Sequence, residues 1–168
     1  NNIYVLGSFA GTTDFDPGPS VFNISSTGGT RDTFLLKLDN NGNFVWVKTI
    51  NGVSWVDARS LELDTNNNFY ILLDFAQTAD FDPGASTFNL TSNSANLYDI
   101  GILKLDNNGS FVWAKSFGGS SEEYSSSLAI SNTGNLYITG QFDGTVDFNP
   151  NAGTFSLTSN SYDMFASA

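Results

Sequence analysis

The 168-residue sequence has no cysteine and no histidine, one methionine and four prolines. Lack of cysteine excludes disulfides and thiolate metal sites. Lack of histidine makes a Ser-His-Asp triad, an imidazole acid/base pair and His-ligated zinc impossible within this sequence. Basic residues are scarce, with 6 Lys and Arg against 17 Asp and Glu, for a formal net charge of -11. A surface of that sign repels phosphate backbones and anionic bilayers, so nucleic acid is not an expected partner. No stretch approaches the roughly 20 apolar residues that span a bilayer, so direct membrane insertion is not expected; no basic-plus-apolar leader opens the sequence, which without an initiator Met is uninformative. The 3.6-residue apolar period of amphipathic helices is missing as well.

The sequence does carry 40% hydrophobic residues and 14% aromatics, among them 15 Phe. That is enough apolar surface for a folded core despite the abundance of Asn, Ser, Thr and Gly. The strongest signal is self-similarity at a shift of 66 to 67 residues. Asn2-Ile3-Tyr4 returns as Asn68-Phe69-Tyr70 and as Asn135-Leu136-Tyr137. Asp14-Phe15-Asp16-Pro17-Gly18 returns as Asp80-Phe81-Asp82-Pro83-Gly84 and, altered, as Asp147-Phe148-Asn149-Pro150-Asn151. The stretch from Leu36 to Lys48 recurs from Leu103 to Lys115, including an unbroken Leu-Lys-Leu-Asp-Asn-Asn-Gly.

Within each unit, short runs of aromatic and β-branched residues alternate with turn signals, which predicts an all-β fold. Strands are expected near residues 58 to 64, 68 to 76, 98 to 105 and 110 to 117, with an excursion between the second and third. At Asp39-Asn40-Asn41-Gly42-Asn43, a three-residue loop with left-handed Gly42 and a bulge is favoured over a two-residue Asn-Gly turn. That register is expected to put Phe34, Leu36, Leu38, Phe44 and Trp46 on one face. Asn67 stands where the next unit has Gly134, the exchange expected at a positive φ.

Four strands in 66 residues are too many for one coil of a β-helix and suit a propeller blade carrying an insertion. The sequence therefore predicts about two and a half β-propeller blades of four antiparallel strands each. They divide as an incomplete blade at residues 1–57, a complete blade with its insertion at 58–124, and an incomplete blade at 125–168. Closing a ring of 4 to 8 blades at this repeat length takes about 260 to 530 residues. The expected partners are therefore other blades of the same parent chain or other protein subunits.

The succession Gly134-Asn135-Leu136-Tyr137-Ile138-Thr139-Gly140, the strand Asp99 to Leu105, and the run Phe111-Val112-Trp113-Ala114-Lys115-Ser116-Phe117-Gly118-Gly119 resemble the bacterial β-propeller repeats called SBBP. The Asp-Phe-Asp-Pro-Gly insertion resembles versions found in large surface or secreted proteins of Bacteroidota. The resemblance implies an extracellular or cell-surface location and a structural or adhesive, non-catalytic role. It does not specify a ligand.

The repeated aspartates admit two readings. One is a tight turn in which Asp accepts local backbone N–H groups, Pro presets φ and Phe points inward. The other places Asp14 with Asp16, and Asp80 with Asp82, on one face as candidate calcium ligands, although two carboxylates fall short of the 6 to 8 oxygens calcium takes. Trp46 and Trp113 suit an inter-blade core better than a sugar-stacking platform, with Lys37, Lys48, Lys104 and Lys115 laying their stems over apolar surface. By analogy with propellers, the insertions are expected beside Ser54 to Asp57 and Ser120 to Tyr124. There Asp57, Glu122 and Glu123 would form an acidic rim suited to cations or a basic partner. A glycan-binding role is the alternative and requires exposed aromatics beside polar groups.

Overall fold

The computed structural model describes residues 2–28, 30–151 and 153–167. Among them every regular element is a strand. The first unit supplies β1 (Ile3–Ala10), β2 (Thr12–Asp14), β3 (Asn23–Ser25), β4 (Arg31–Leu38) and β5 (Phe44–Gly52). The second supplies β6 (Val56–Leu63), β7 (Phe69–Phe75), β8 (Thr78–Asp80), β9 (Asn89–Thr91), β10 (Asp99–Leu105) and β11 (Phe111–Phe117). The third supplies β12 (Glu123–Ile130), β13 (Leu136–Phe142), β14 (Thr145–Asp147), β15 (Ser156–Thr158) and β16 (Asp163–Ser167).

The second unit forms a four-stranded antiparallel blade in the order β6-β7-β10-β11. The equivalent strands of its neighbours form the sheets β1-β4-β5 and β12-β13-β16. These sheets pack face to face as propeller blades. Strand β7 lies in the middle and is buried along its whole length. Its Phe69, Ile71, Leu73 and Phe75 join the core shared with the first blade, and Tyr70 and Leu72 the core shared with the third. A strand covered on both faces needs an unbroken apolar run, and Phe-Tyr-Ile-Leu-Leu supplies it. In β10 the same alternation sends Leu103 and Leu105 one way and Ile100 and Ile102 the other.

At the blade centres, one large and one small residue face each other across the ladder: Gly7 with Phe34, Leu73 with Gly101, and Gly140 with Phe165. A Cβ on Gly7 would lie 2.8 Å from the Phe34 ring, so the pair interlocks only because one member lacks a side chain.

The hairpin turns take the three-residue form, with Gly42 at φ 85°, Gly134 at 88° and Asn67 at 60°. A second bulge, beyond the turn and its expected one, corrects the expected facing of Trp46. The register slips between Lys37 and Leu38, so Leu38 pairs with Phe44 while Lys37 pairs with Trp46. Trp46 therefore joins the core with Phe69, ring centroids 5.9 Å apart, whereas Phe44 shares the opposite face with Leu36 and Leu38. That opposite face, lined by Val5, Phe9, Phe15, Phe34, Leu36 and Leu38, borders an apolar hollow that no other described strand covers.

The excursion in each unit is a short hairpin. In the second unit it is β8-β9, and it adds to the first sheet through β5, with Asn51 opposite Asp80 and Gly52 opposite Ala79. Phe81 at its tip is fully buried between the two blades, 5.2 Å from Phe75. The third unit repeats this with a bridge from Gly119 to Val146, and Phe148 in the core. The second and third insertions thus fill the wedge between their own blade and the one before.

Candidate functional site

The repeated aspartates belong to these wedge hairpins. Asp80 Oδ1 accepts the N–H groups of Asp82 at 3.0 Å and Phe88 at 2.8 Å, and Asp82 Oδ1 accepts that of Gly84 at 2.8 Å. Asp14 and Asp16 make the same bonds to Asp16, Phe22 and Gly18. In the third unit Asn149 Oδ1 takes the second role, accepting the Asn151 N–H at 3.0 Å. An uncharged amide doing the same work shows that the second position needs an acceptor oxygen rather than a charge, whereas the first is aspartate in all three units. Among the described residues, no group of three or more His, Cys, Asp or Glu side chains gathers where it could hold a metal.

The structure brings together a different constellation, at the end of the blades where β6 and β12 begin. Trp55, Tyr98, Tyr124 and Tyr162 form a row of aromatic rings, with successive centroids 6.1, 5.6 and 6.2 Å apart. Two carboxylates are clasped within the row. Asp57 Oδ2 accepts from Arg31 at 3.0 Å and from the Tyr98 hydroxyl at 2.9 Å. Glu122 Oε2 accepts from the hydroxyls of Tyr124 at 2.8 Å and Tyr162 at 3.1 Å. The Asp57 clasp joins the first and second units, the Glu122 clasp lies within the third, and the Tyr98–Tyr124 contact links the two, so the rim is continuous from Arg31 to Tyr162.

Its electrostatics follow from that geometry. Burial, then the hydrogen bond to the Asp57 carboxylate, pushes the Tyr98 hydroxyl up to about 12. Burial and Glu122 raise Tyr124 and Tyr162 in the same way, since removing a phenolic proton beside a carboxylate would set two negative charges against each other. The hydroxyls therefore stay protonated as donors. Trp55 and Tyr162 remain 41% and 50% exposed, leaving their ring faces open.

The expected acidic rim is corrected at Glu123, which is fully buried beneath it and not part of the surface. Glu122 does lie on the rim, half-buried, whereas Asp57 is buried behind it and paired with Arg31. The insertion meets this region only at its base, where Thr78 accepts the Val53 N–H and Trp55 accepts the Ala76 N–H. Sequence reasoning missed the tyrosines. Tyr98 and Tyr162 each directly precede the aspartate that opens the third strand of their unit, where the first unit has Arg31 before Asp32. That shared repeat position was the available signal.

Trp113 lies against Tyr70, centroids 6.2 Å apart, so it and Trp46 are core residues, as expected. The lysines finish over rings: Lys37 Nζ lies 5.7 Å from the centroids of Tyr4 and Trp46, and Lys104 Nζ 4.8 Å from that of Tyr70.

Comparison with known proteins agrees with the repeat architecture. The chain is similar to an uncharacterized WD repeat-containing protein, L264, of Acanthamoeba polyphaga mimivirus. The two are 28% identical over 188 residues, an alignment that covers 96% of this chain and 13% of the viral protein. The chain thus spans about an eighth of that relative's length. No protein-family model matches the chain.

Proposed function

We propose that this chain is a non-catalytic, protein-binding propeller module of a large secreted or cell-surface protein, built from SBBP-type repeats in the three segments 1–57, 58–124 and 125–168. The rim from Arg31 to Tyr162 is its docking surface, and a basic polypeptide segment is its partner. The carrying observation is the clasped row itself. Exposed rings at Trp55 and Tyr162 flank a row that carries the Glu122 carboxylate, which suits lysine and arginine side chains through cation–π contact and charge attraction. The formal net charge of -11 adds long-range attraction for such a partner. A non-catalytic role accords with a sequence that has no histidine and whose rim carboxylates serve as hydrogen-bond acceptors.

Exposed rings beside carboxylates also favour a second reading, in which the rim binds a glycan by stacking. Probing one preparation against an array of basic peptides and an array of glycans separates the two. Saturable peptide binding that weakens as salt is raised, and falls about tenfold or more in Trp55→Ala and Tyr162→Ala, supports the first reading. Salt-insensitive glycan binding lost in the same variants supports the second. Binding to either array that survives both substitutions removes the rim from consideration.

A further inference from the structure

In the first unit the buried Asp32 carboxylate is fully served. Its Oδ2 accepts the Thr27 N–H at 2.7 Å and its Oδ1 the Gly52 N–H at 3.1 Å. Nearby Val56 is apolar and fully buried. The second unit repeats this arrangement with one change. By the 67-residue shift, Asp99 replaces Asp32, Gly119 replaces Gly52, and Glu123 replaces Val56. Glu123 is as buried as Val56, and its Oε2 takes the Gly119 N–H at 3.0 Å. Asp99 Oδ2 still accepts both the backbone and side-chain N–H groups of Asn93, at 3.0 and 2.9 Å. Asp99 Oδ1 and Glu123 Oε1 are left buried without a hydrogen-bond partner.

No positive charge compensates them. The two ion pairs among the described residues are Arg31 with Asp57 and Arg59 with Asp74, and neither includes these acids. Around Glu123 stand Glu122 just before β12, Asp143 just after β13, and Asp99 at the head of β10, all acidic. Asp163 heads β16 across β13 and is exposed, while Asp74 on β7 is held by Arg59 and Ser125. Tyr98 contributes its backbone carbonyl, which accepts the Glu123 N–H at 3.0 Å. Two ionised carboxylates buried near one another without a cation are strongly disfavoured, and a proton retained by one relieves the other.

We propose that Asp99 and Glu123 share one proton at neutral pH, and that this proton closes the seam between the second and third blades. Burial, and for Glu123 the surrounding acids, push Glu123 up to about 8 and Asp99 up to about 6, against the Gly119 and Asn93 hydrogen bonds that favour the ionised forms. The two values describe a coupled pair. Because the folded values exceed the unfolded ones, the native state holds a proton the unfolded chain has lost. Stability from this pair is therefore complete below about pH 4, where both acids are protonated in either state, and is lost as pH rises through about 8.

The sequence has three glutamates, Glu62, Glu122 and Glu123, so carbon-13 NMR of labelled glutamate carboxyls can follow each one. In chelator, one of the three signals should titrate near pH 8, and Glu123→Gln should remove it. The wild-type melting temperature should fall across pH 5 to 8 more steeply than that of Glu123→Gln. Glu123→Val, which copies Val56, should flatten the same slope, and if it does not fold the glutamine variant carries the comparison. Three glutamates all titrating in the ordinary carboxylate range would overturn the proposal. So would a Glu123 signal that ignores pH but moves when calcium or sodium is added, which would make the shared cation a metal ion.

Discussion

Asp74 of the second blade accepts the backbone N–H of Ser125 in the third at 3.0 Å. One unit earlier, Ser8 does the same for Ala58 at 2.9 Å. Both donors sit at bulges, between Ala58 and Ser60 in β6 and between Ser125 and Ser127 in β12. A bulge leaves an N–H outside the ladder, and each is satisfied by a side chain of the preceding blade. Asp74 is fully buried and also pairs with Arg59 at 2.6 Å. Asp74→Ala should cost about 1 to 3 kcal/mol, because it leaves the buried Ser125 N–H without its acceptor while the exposed Arg59 is taken up by water. Asp74→Ser, which copies Ser8, should cost clearly less, since it keeps the cap. Chemical denaturation of the two variants checks the order.

The Asp-Phe-Asp-Pro-Gly motif should be dominated by its phenylalanine. Phe81→Ala removes a fully buried ring and should cost about 3 to 5 kcal/mol. Asp80→Ala should cost about 1 kcal/mol, and the Asp80→Asn, Asp82→Asn double variant less than that, because an amide oxygen can accept the same N–H groups, as Asn149 does at the second position. Calcium should leave the melting temperatures of wild type and double variant unchanged relative to chelator. A calcium-dependent rise in wild type that the double variant loses would instead establish a metal site.

The uncovered face formed by Val5, Phe34, Leu36 and Leu38 is the surface that a preceding blade would cover. At micromolar concentration the chain should therefore self-associate. Leu36→Lys should shift it toward monomer without lowering its melting temperature appreciably. Sedimentation showing monomeric wild type at all concentrations would contradict this.

Much of the fold was legible because each repeat is a second measurement of the same structure. The four blade strands, the three-residue turns and the positive φ at Asn67 all follow from local chemistry that recurs. Two things were not legible for a physical reason. The slip at Lys37 and Leu38 reverses which face Trp46 takes, and a bulge leaves no residue-type signature when neither neighbour is glycine. The rim is assembled from residues 31, 57, 98, 122, 124 and 162, which meet only once the blades pack. The units differ there, with Arg31 giving way to Tyr98 and Asp57 to Tyr124, so alignment of the repeats marks the Tyr98 and Tyr162 position and hides the rest.

At the opposite end of the first blade, the side-chain amide of Asn43, and then its backbone N–H, hold the Asp39 carboxyl below its usual range. A depressed folded value gives stability that is present above about pH 4 and lost as pH falls through the folded value. The melting temperature of Asp39→Ala should therefore trail that of wild type at pH 7, and the gap should close in acid. A gap that stays constant with pH would assign the effect to something other than this carboxylate.

The most direct test of the rim as a docking surface is a titration of the chain with a short arginine-rich peptide, followed by tryptophan fluorescence. Of the three tryptophans, Trp46 and Trp113 pack beside the blade cores, while Trp55 is 41% exposed on the rim. Saturable quenching is predicted, weakened by salt, absent in Trp55→Phe, and reduced about tenfold or more in affinity by Glu122→Gln, which removes the charge while its amide oxygen can still accept from the Tyr124 and Tyr162 hydroxyls. No saturable change in wild type at low salt, or the same affinity in Glu122→Gln, would contradict the assignment.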